Sequence, residues 1–173
     1  MGHPRKITKK YSTPKHPWRA ERILEEKGLE KKYGLKNKRE IWKAHAAVRG
    51  VRSQARSLLA LKTAQAEIEK AQLIGRLVRL GLLKPSAGLD EMLALKTTDL
   101  LDRRLQTMVF KSGHASTIGQ ARQFIIHGHV TVKDRKVTVP SYLVRVEEEN
   151  KIALIREFNI AAPKTVKEAE PSE

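Results

Sequence analysis

The sequence has no cysteine among its 173 residues, and only 5% of its residues are aromatic. The absence of cysteine excludes disulfides, thiolate metal clusters and a cysteine nucleophile. No apolar run approaches the roughly 20 residues that span a bilayer. Because aromatic side chains are so few, we do not expect a stacking platform of the kind that reads single-stranded nucleic acid.

Motifs for nucleotide binding and metal-dependent catalysis are also missing. The sequence contains neither GxGxxG nor GxxxxGK[ST], and it contains no HExxH. His127 and His129 could in principle share a metal, but no cysteine or nearby carboxylate would complete the site. Asp99 and Asp102 are typical of acids that face a helix N-terminus. We therefore predict no enzyme activity, no cofactor and no metal.

Positive charge is what the sequence has in excess, with 35 Lys and Arg against 19 Asp and Glu and a net charge of +16. Residues 1–60 carry a net +12, residues 61–100 +1, residues 101–146 +6 and residues 147–173 −3. Two basic regions therefore flank a nearly neutral one. This pattern favours a polyanionic partner, either nucleic acid or an anionic membrane face. The basic N-terminal residues lack the amphipathic apolar face that membrane binding needs, so we expect no membrane.

We predict an α+β protein with four segments. Residues 1–18 form a basic extended arm that contains three prolines and becomes ordered against a polyanion. Residues 19–97 form a helical domain, and residues 98–156 form a small α-α-β-β-β module. Residues 157–173 form an acidic C-terminal segment that is largely disordered.

Two helices form the predicted centre of the helical domain. Asn37 and Glu40 have the spacing of a capping box at the start of the first helix. The apolar stripe of this helix comprises Ile41, Ala44, Val48, Val51, Ala55 and Leu58. The second helix spans 63–80, and its inward residues are Ile68, Ala71, Ile74, Leu77 and Val78.

Cations line the first of these helices beside its apolar stripe. His45, Arg49, Arg52 and Arg56 recur at helical spacing, with no acid interleaved. Arginine suits phosphate because its planar guanidinium binds two oxygens at once. We predict a phosphate-contacting edge here, together with the cations of the arm, which are Arg5, Lys6, Lys9, Lys10 and Lys15.

From residue 98 the pattern changes to that of a small mixed module. A helix over 99–109 and a KSGHAS loop precede Thr117 and Gln120, which have a second capping-box spacing. The following helix runs to His127, buries Ile118, Ala121 and Ile125, and ends at Gly128. Alternating apolar residues predict strands at 130–132, 137–139, 142–144 and 152–154. Lys133, Arg135 and Lys136 lie at a hairpin tip, and Glu147 to Glu149 form a solvated loop.

Residues 101–154 resemble the RNA-binding module shared by the fourth small-subunit ribosomal protein, some pseudouridine synthases, a bacterial tyrosyl-tRNA synthetase and several RNA chaperones. The matching segments are LDRRL at 101–105, ST at 116–117, QARQFI at 120–125, HGHVTV at 127–132 and SYLV at 141–144. TPKHPW at 13–18 and YGLKNKREIW at 33–42 resemble the archaeal and eukaryotic branch of that ribosomal protein family. Together the two halves cover about 140 residues.

The resemblance implies further RNA-contacting residues. Those that match the module are Arg103, Arg104, Arg122, Gln123, His127 and His129, to which we add Lys111, His114 and Thr117 from the loop between its helices and Lys133, Arg135 and Lys136 from the hairpin tip. Those that match the N-terminal signature are Lys36, Asn37, Lys38, Arg39 and Trp42. Two positions depart from the family, with Ile118 where many members have Arg, and Lys133-Asp134 where many have Asn-Gly.

The resemblance also implies a function and partners. The expected protein is a cytoplasmic structural constituent of the small ribosomal subunit that binds the 5′ domain of its rRNA and nucleates assembly. It would lie beside the third and fifth small-subunit proteins, near mRNA at the channel through which mRNA enters the subunit, and contribute to translational accuracy. No homo-oligomer is expected.

Two other readings fit parts of the sequence. A pseudouridine synthase would need a further catalytic domain, for which the N-terminal helices leave no room. An rRNA-processing or assembly factor acting on precursor rRNA would share the architecture, and the signature at 33–42 speaks against it.

Overall fold

The structure is a computed structural model, and it describes residues 9–61 and 63–155. The chain divides into two compact units between Arg103 and Arg104. We call residues 9–103 the helical unit and residues 104–155 the C-terminal unit. Within the described residues, no helix combines the length and the hydropathy needed to cross a membrane.

Five helices form the described part of the helical unit. They are α1 (Ala20–Tyr33), α2 (Lys38–Ala60), α3 (Ala64–Arg79), α4 (Leu89–Ala94) and α5 (Thr97–Asp102). Asn37 begins α2 as predicted, because its side chain accepts a hydrogen bond from the backbone N–H of Arg39 at 3.0 Å. The predicted stripe of α2 is confirmed, with Val51 half-buried and the other five residues buried.

The face that α3 buries differs in part from the prediction. Ile68 is 53% exposed and Ala71 is exposed, whereas Ala66, Leu73 and Leu77 are buried. The inward face is rotated because α3 packs into the core through residues at positions 66, 73 and 77, which share one side of a helix. The inward orientation predicted for Ile68 and Ala71 is therefore wrong.

The single helix predicted over 99–109 is two helices. The chain turns at Arg103 and Arg104, so α5 belongs to the helical unit and α6 (Leu105–Lys111) opens the C-terminal unit. Leu101 packs with Tyr33 and Ile41, whereas Leu105 lies in the core of the C-terminal unit. The two leucines look alike in sequence, but each belongs to a different core.

The C-terminal unit places two helices against a small sheet. After α6 come α7 (Ile118–Ile126), β1 (Val130–Val132), β2 (Arg135–Lys136), α8 (Val146–Glu149) and β3 (Ile152–Leu154). The sheet is antiparallel with the order β2-β1-β3. Its core comprises Leu105, Met108, Val109, Ala115, Ala121, Phe124, Ile125, Val130, Val132, Val144 and Ile152. The α+β class is confirmed, and residues 1–8 and 156–173 of the arm and tail lie outside the described residues.

Two of the predicted strands are wrong. The second strand of the sheet is Arg135–Lys136 rather than 137–139, since a two-residue turn returns the chain at once. Residues 142–144 contact the start of α6 instead of joining the sheet, because Leu105 donates its N–H to the Tyr142 carbonyl at 2.8 Å and Arg104 bridges Leu143. The predicted loop at Glu147 to Glu149 is the short helix α8.

Candidate RNA-binding surfaces

The cationic edge of α2 contains one arginine that serves the fold. His45, Arg49 and Arg56 are exposed. Arg52 is half-buried and donates to the backbone carbonyl of Leu95, with the Nε atom at 3.2 Å and Nη2 as a second donor. The same spacing in sequence therefore produces two surface arginines, a surface histidine and one arginine that ties α2 to the end of α4.

The inner part of the arm lies on α2. The Tyr11 and Trp42 rings have centroids 6.1 Å apart, and Pro17 accepts a hydrogen bond from Arg22 at 3.0 Å. Lys9, Lys10 and Lys15 are exposed, while Arg5 and Lys6 lie outside the described residues. That the arm orders against a polyanion stays a prediction; its described residues contact α2 through Tyr11 and α1 through Pro17.

The signature at 33–42 is mostly structural. Gly34 adopts a left-handed φ of 56° that ends α1, and Asn37 caps α2. Trp42 donates from Nε1 to Glu26 at 3.0 Å, and Lys38 lies 3.8 Å from the same buried carboxylate. Of the predicted contacts in this segment, Lys36 and Arg39 are exposed cations, whereas the side chains of Asn37, Lys38 and Trp42 contact other groups of the fold.

Tyr33 is a buried polar residue that the sequence analysis did not single out. Its side chain is 2% exposed and packs with Leu35 and Leu101. Burial raises the pKa of the Tyr33 hydroxyl to about 12, assisted by the charge of Asp102, a hydrogen bond to Asp102 and the charge of Asp99. The interaction of Tyr33 with Asp102 ties the end of α1 to the end of α5. The two residues are far apart in sequence, so only the folded structure reveals that they are close.

A buried amide holds the two helices of the C-terminal unit together. Gln106 is fully buried and donates from Nε2 to the Ile118 carbonyl at 3.1 Å. Half-buried Arg122 approaches Gln106 Oε1 with Nη1 at 3.4 Å, while its neighbour Gln123 is exposed. Arg122 is therefore positioned by the interior of the unit while part of it reaches the surface.

The loop before α7 is held by reciprocal hydrogen bonds. Thr117 Oγ1 accepts from the Gln120 N–H at 3.1 Å, as the capping-box spacing predicts. The returning bond goes one residue earlier, since Gln120 Oε1 accepts from the Ser116 N–H at 2.8 Å. Lys111 is exposed and His114 is half-buried. The predicted contact Thr117 thus has its hydroxyl engaged in the cap.

The turn after α7 brings together three predicted RNA contacts, His127, His129 and Lys136. Gly128 has a φ of +72°, as expected for the residue that ends a helix. The His127 and His129 rings are stacked with centroids 6.4 Å apart. A side chain at Gly128 would lie 2.0 Å from Lys136 Cε, so the hairpin lysine rests directly on the glycine. A larger residue at this position would displace that cation.

The hairpin tip is a tight two-residue turn formed by Lys133 and Asp134. Both residues have positive φ, 50° and 63°, which defines a type I′ turn despite the absence of Asn-Gly. Lys133 points away from the tip, because its Nζ lies 3.4 Å from Glu148 and 3.6 Å from Glu147. Arg135 and Lys136 are exposed, so they are the tip cations available to a ligand.

Glu148 is the buried acceptor of this region, where we predicted a solvated loop. Its carboxylate accepts from Tyr142 Oη at 2.8 Å and from the Arg145 N–H at 3.2 Å. Burial by itself would raise the pKa of Glu148, but the hydrogen bonds from Tyr142 and Arg145 and the charge of Lys133 outweigh it and lower the pKa.

Two predicted contacts lie at the division between the units. Arg104 is 5% exposed and Arg103 is half-buried. Arg104 also precedes α6 and forms the backbone bridge to Leu143. Because Arg104 is buried, we leave it out of the contacts proposed below.

Comparison with known proteins gives the class of the C-terminal unit. The family model of the S4 domain matches residues 103–150, which contain the α6–α7 pair and the hairpin. Small ribosomal subunit protein uS4 of Methanothermobacter thermautotrophicus is 53% identical over 152 residues, covering 88% of this chain and 89% of the relative. The same-named proteins of Saccharolobus solfataricus and Methanococcus aeolicus are 54% and 52% identical over 153 and 154 residues, covering 84% and 87% of their lengths and 88% of this chain.

The chain is therefore an S4-domain protein, and it belongs to the small ribosomal subunit protein uS4 family. The predicted family is confirmed. Membership in a family of ribosomal proteins also confirms the prediction that the chain is not an enzyme.

Proposed function

We propose that this protein is a structural constituent of the small ribosomal subunit in the cytoplasm, where it binds rRNA. The observation that carries the proposal is membership in the uS4 family along nearly nine-tenths of the chain. The exposed cations of the two units support it, because each unit presents its own basic surface.

The finer expectations belong to the same proposal. The RNA is the 5′ domain of small-subunit rRNA, bound early in assembly. The neighbours are the third and fifth small-subunit proteins and the mRNA at its entry channel. There the protein contributes to the accuracy of translation. These details come from the family resemblance, and the exposed basic residues are compatible with them.

Phosphate contacts supply the affinity in this mechanism. Each Lys or Arg that neutralises a phosphate releases condensed counterions, which makes binding steeply dependent on salt. In the helical unit we assign contacts to Arg49, Arg56 and Arg39, and in the C-terminal unit to Arg122, Arg135 and Lys136, with His127 at the turn. Because the rest of the surface offers few aromatic rings, the protein recognises the shape of folded RNA more than its sequence.

The test is binding of the full chain to a transcribed 5′ domain and to a size-matched scrambled RNA across a salt series. We expect steep salt dependence with both RNAs, and tight binding at physiological salt with the 5′ domain alone. Equal affinity for both RNAs would reduce the protein to a general polyanion binder and overturn the proposal.

Sedimentation separates the ribosomal role from the alternative of a processing or assembly factor acting on precursor rRNA. A structural constituent remains with mature small subunits through washing at moderate salt. Recovery with precursor particles alone would favour the alternative function.

A further inference from the structure

An open depression of about 470 Å³ lies between the inner arm and α2. Four cations line it, two from the arm (Lys9 and Lys10) and two from α2 (Arg49 and Arg56). Ser12 and Ser53 also line it and can donate through their hydroxyls. No acidic side chain is among the described residues that form this depression. Its chemistry, cations with hydroxyl donors in a shallow recess, matches a phosphate group.

We propose that this depression is a preformed site for one phosphodiester group of RNA, and that Tyr11 is the positioning residue that builds it. The inference rests on the proposed function for the identity of the RNA. It goes further in stating that the arm is docked before RNA arrives and that the arm and α2 share one ligand.

Gly50 gives independent support for the recess. It lies in the interior of α2, where glycine is less favourable than alanine. A Cβ atom at Gly50 would meet nothing within 4 Å, so no packing within the described protein requires a glycine there. Gly50 does line the depression, where the missing side chain leaves the helix backbone open to an approaching ligand.

The anchor for Tyr11 is itself held by a buried carboxylate. Trp42 stacks at a tilt of 33° to Tyr11 and donates its indole N–H to Glu26 at 3.0 Å. Glu26 is 6% exposed and also lies 3.4 Å from Arg22, and Arg22 donates to Pro17 in the arm. The arm is thus tied to α1 and α2 at two points, which reduces the conformational entropy that RNA binding must remove.

The first experiment tests docking in the absence of RNA. In a Trp18→Phe background, the single indole N–H resonance belongs to Trp42. We expect Tyr11→Ala to shift that resonance and Tyr11→Phe, which keeps the ring, to leave it close to its original position. An unshifted resonance in Tyr11→Ala would show that the arm is not docked and would overturn the inference.

The second experiment separates positioning from charge. Replacing Lys9 and Lys10 with Gln should reduce the slope of log affinity against log salt by at most about 0.9, since the site neutralises one phosphate and each neutralised phosphate contributes about 0.9. Tyr11→Ala keeps every cation, so it should lower affinity for the 5′ domain about tenfold with the slope nearly unchanged. A loss of unfolding free energy as large as the loss of binding free energy would instead make Tyr11 merely structural. Tyr11→Phe should restore wild-type affinity.

The third experiment blocks the recess. Gly50→Glu places a carboxylate in the depression and should weaken binding about tenfold through repulsion of phosphate. Ala71→Glu on α3 is the matched control, because Ala71 is also exposed on a helix and does not line the depression. Equal losses in the two variants would show that only net charge matters and would overturn the site.

Inorganic phosphate distinguishes the ligand sources. Inorganic phosphate alone, at millimolar concentration, should shift the backbone amide resonance of residue 50 in the wild type and leave that of residue 50 in Gly50→Glu unshifted. RNA should displace the phosphate. No shift with phosphate or RNA would overturn the site. If the wild type fails to prefer the 5′ domain, the proposed function is wrong. The Trp42 indole and phosphate measurements still test whether the depression binds phosphate.

Discussion

The helical unit and the C-terminal unit present cations in different ways. In the helical unit, Arg49 and Arg56 project from a long helix whose other side forms the core. In the C-terminal unit, Arg122 on α7 contacts buried Gln106, and Lys133 of the hairpin contacts buried Glu148. The comparison teaches that one unit positions charge by helix geometry and the other by internal hydrogen bonds.

The largest effect is expected where the C-terminal unit depends on its buried amide. Gln106→Met keeps the volume but removes the donor to Ile118 and the acceptor for Arg122, and it should destabilise the unit by about 2–3 kcal/mol. Hydrogen exchange would show lost protection in residues 104–155 and unchanged protection in α2. Equal loss in both units would contradict the comparison.

The second prediction breaks the apparent equivalence of the arginines on α2. Arg52→Ala removes the donor to the Leu95 carbonyl and should cost about 1.5 kcal/mol of unfolding free energy, measured by urea denaturation. Arg49→Ala should change stability by less than about 0.5 kcal/mol and reduce the salt slope of RNA binding by about 0.9. Reversed results would mean that Arg52, not Arg49, contacts RNA.

The third prediction concerns alkaline stability of the helical unit. Because the folded pKa of Tyr33 lies near 12, above its ordinary 10.0, its contribution is complete below pH 10 and is lost as the pH rises toward 12. Wild type should therefore lose about 1.4 kcal/mol relative to Tyr33→Phe between pH 8 and pH 11. Urea titrations at each pH measure this difference, and a constant difference would argue against the buried hydroxyl.

The smallest effect is the corresponding acid response of the C-terminal unit. Because the pKa of Glu148 is lowered, its stabilisation is present at neutral pH and is lost as the pH falls below the ordinary value of 4.5. Glu148→Gln should cost about 1 kcal/mol at pH 7, and the difference should close in acid. A difference that persists at low pH would show that charge on Glu148 is not what stabilises the unit.

Periodicity, capping residues and charge in the sequence predicted α2, the inward stripe of that helix and the helix that ends at Gly128. These are properties of neighbouring residues, and local backbone geometry enforces them. The family was also evident from short motifs, and comparison confirmed it. The residues that contact RNA remain a prediction, supported by exposure for Arg49, Arg56 and Lys136.

Tertiary structure decided which polar side chains serve the fold. Arg52, Trp42 and Lys133 look like surface groups in sequence, yet each contacts a carbonyl or carboxylate far along the chain. The separations are 43, 16 and 15 residues respectively. The break between α5 and α6 likewise depends on which core receives Leu101 and which receives Leu105. The sequence alone determines the charge of the chain and the spacing of its residues. A hydrogen-bond partner that is distant in sequence depends on how the helices and strands pack, because packing brings the two groups together.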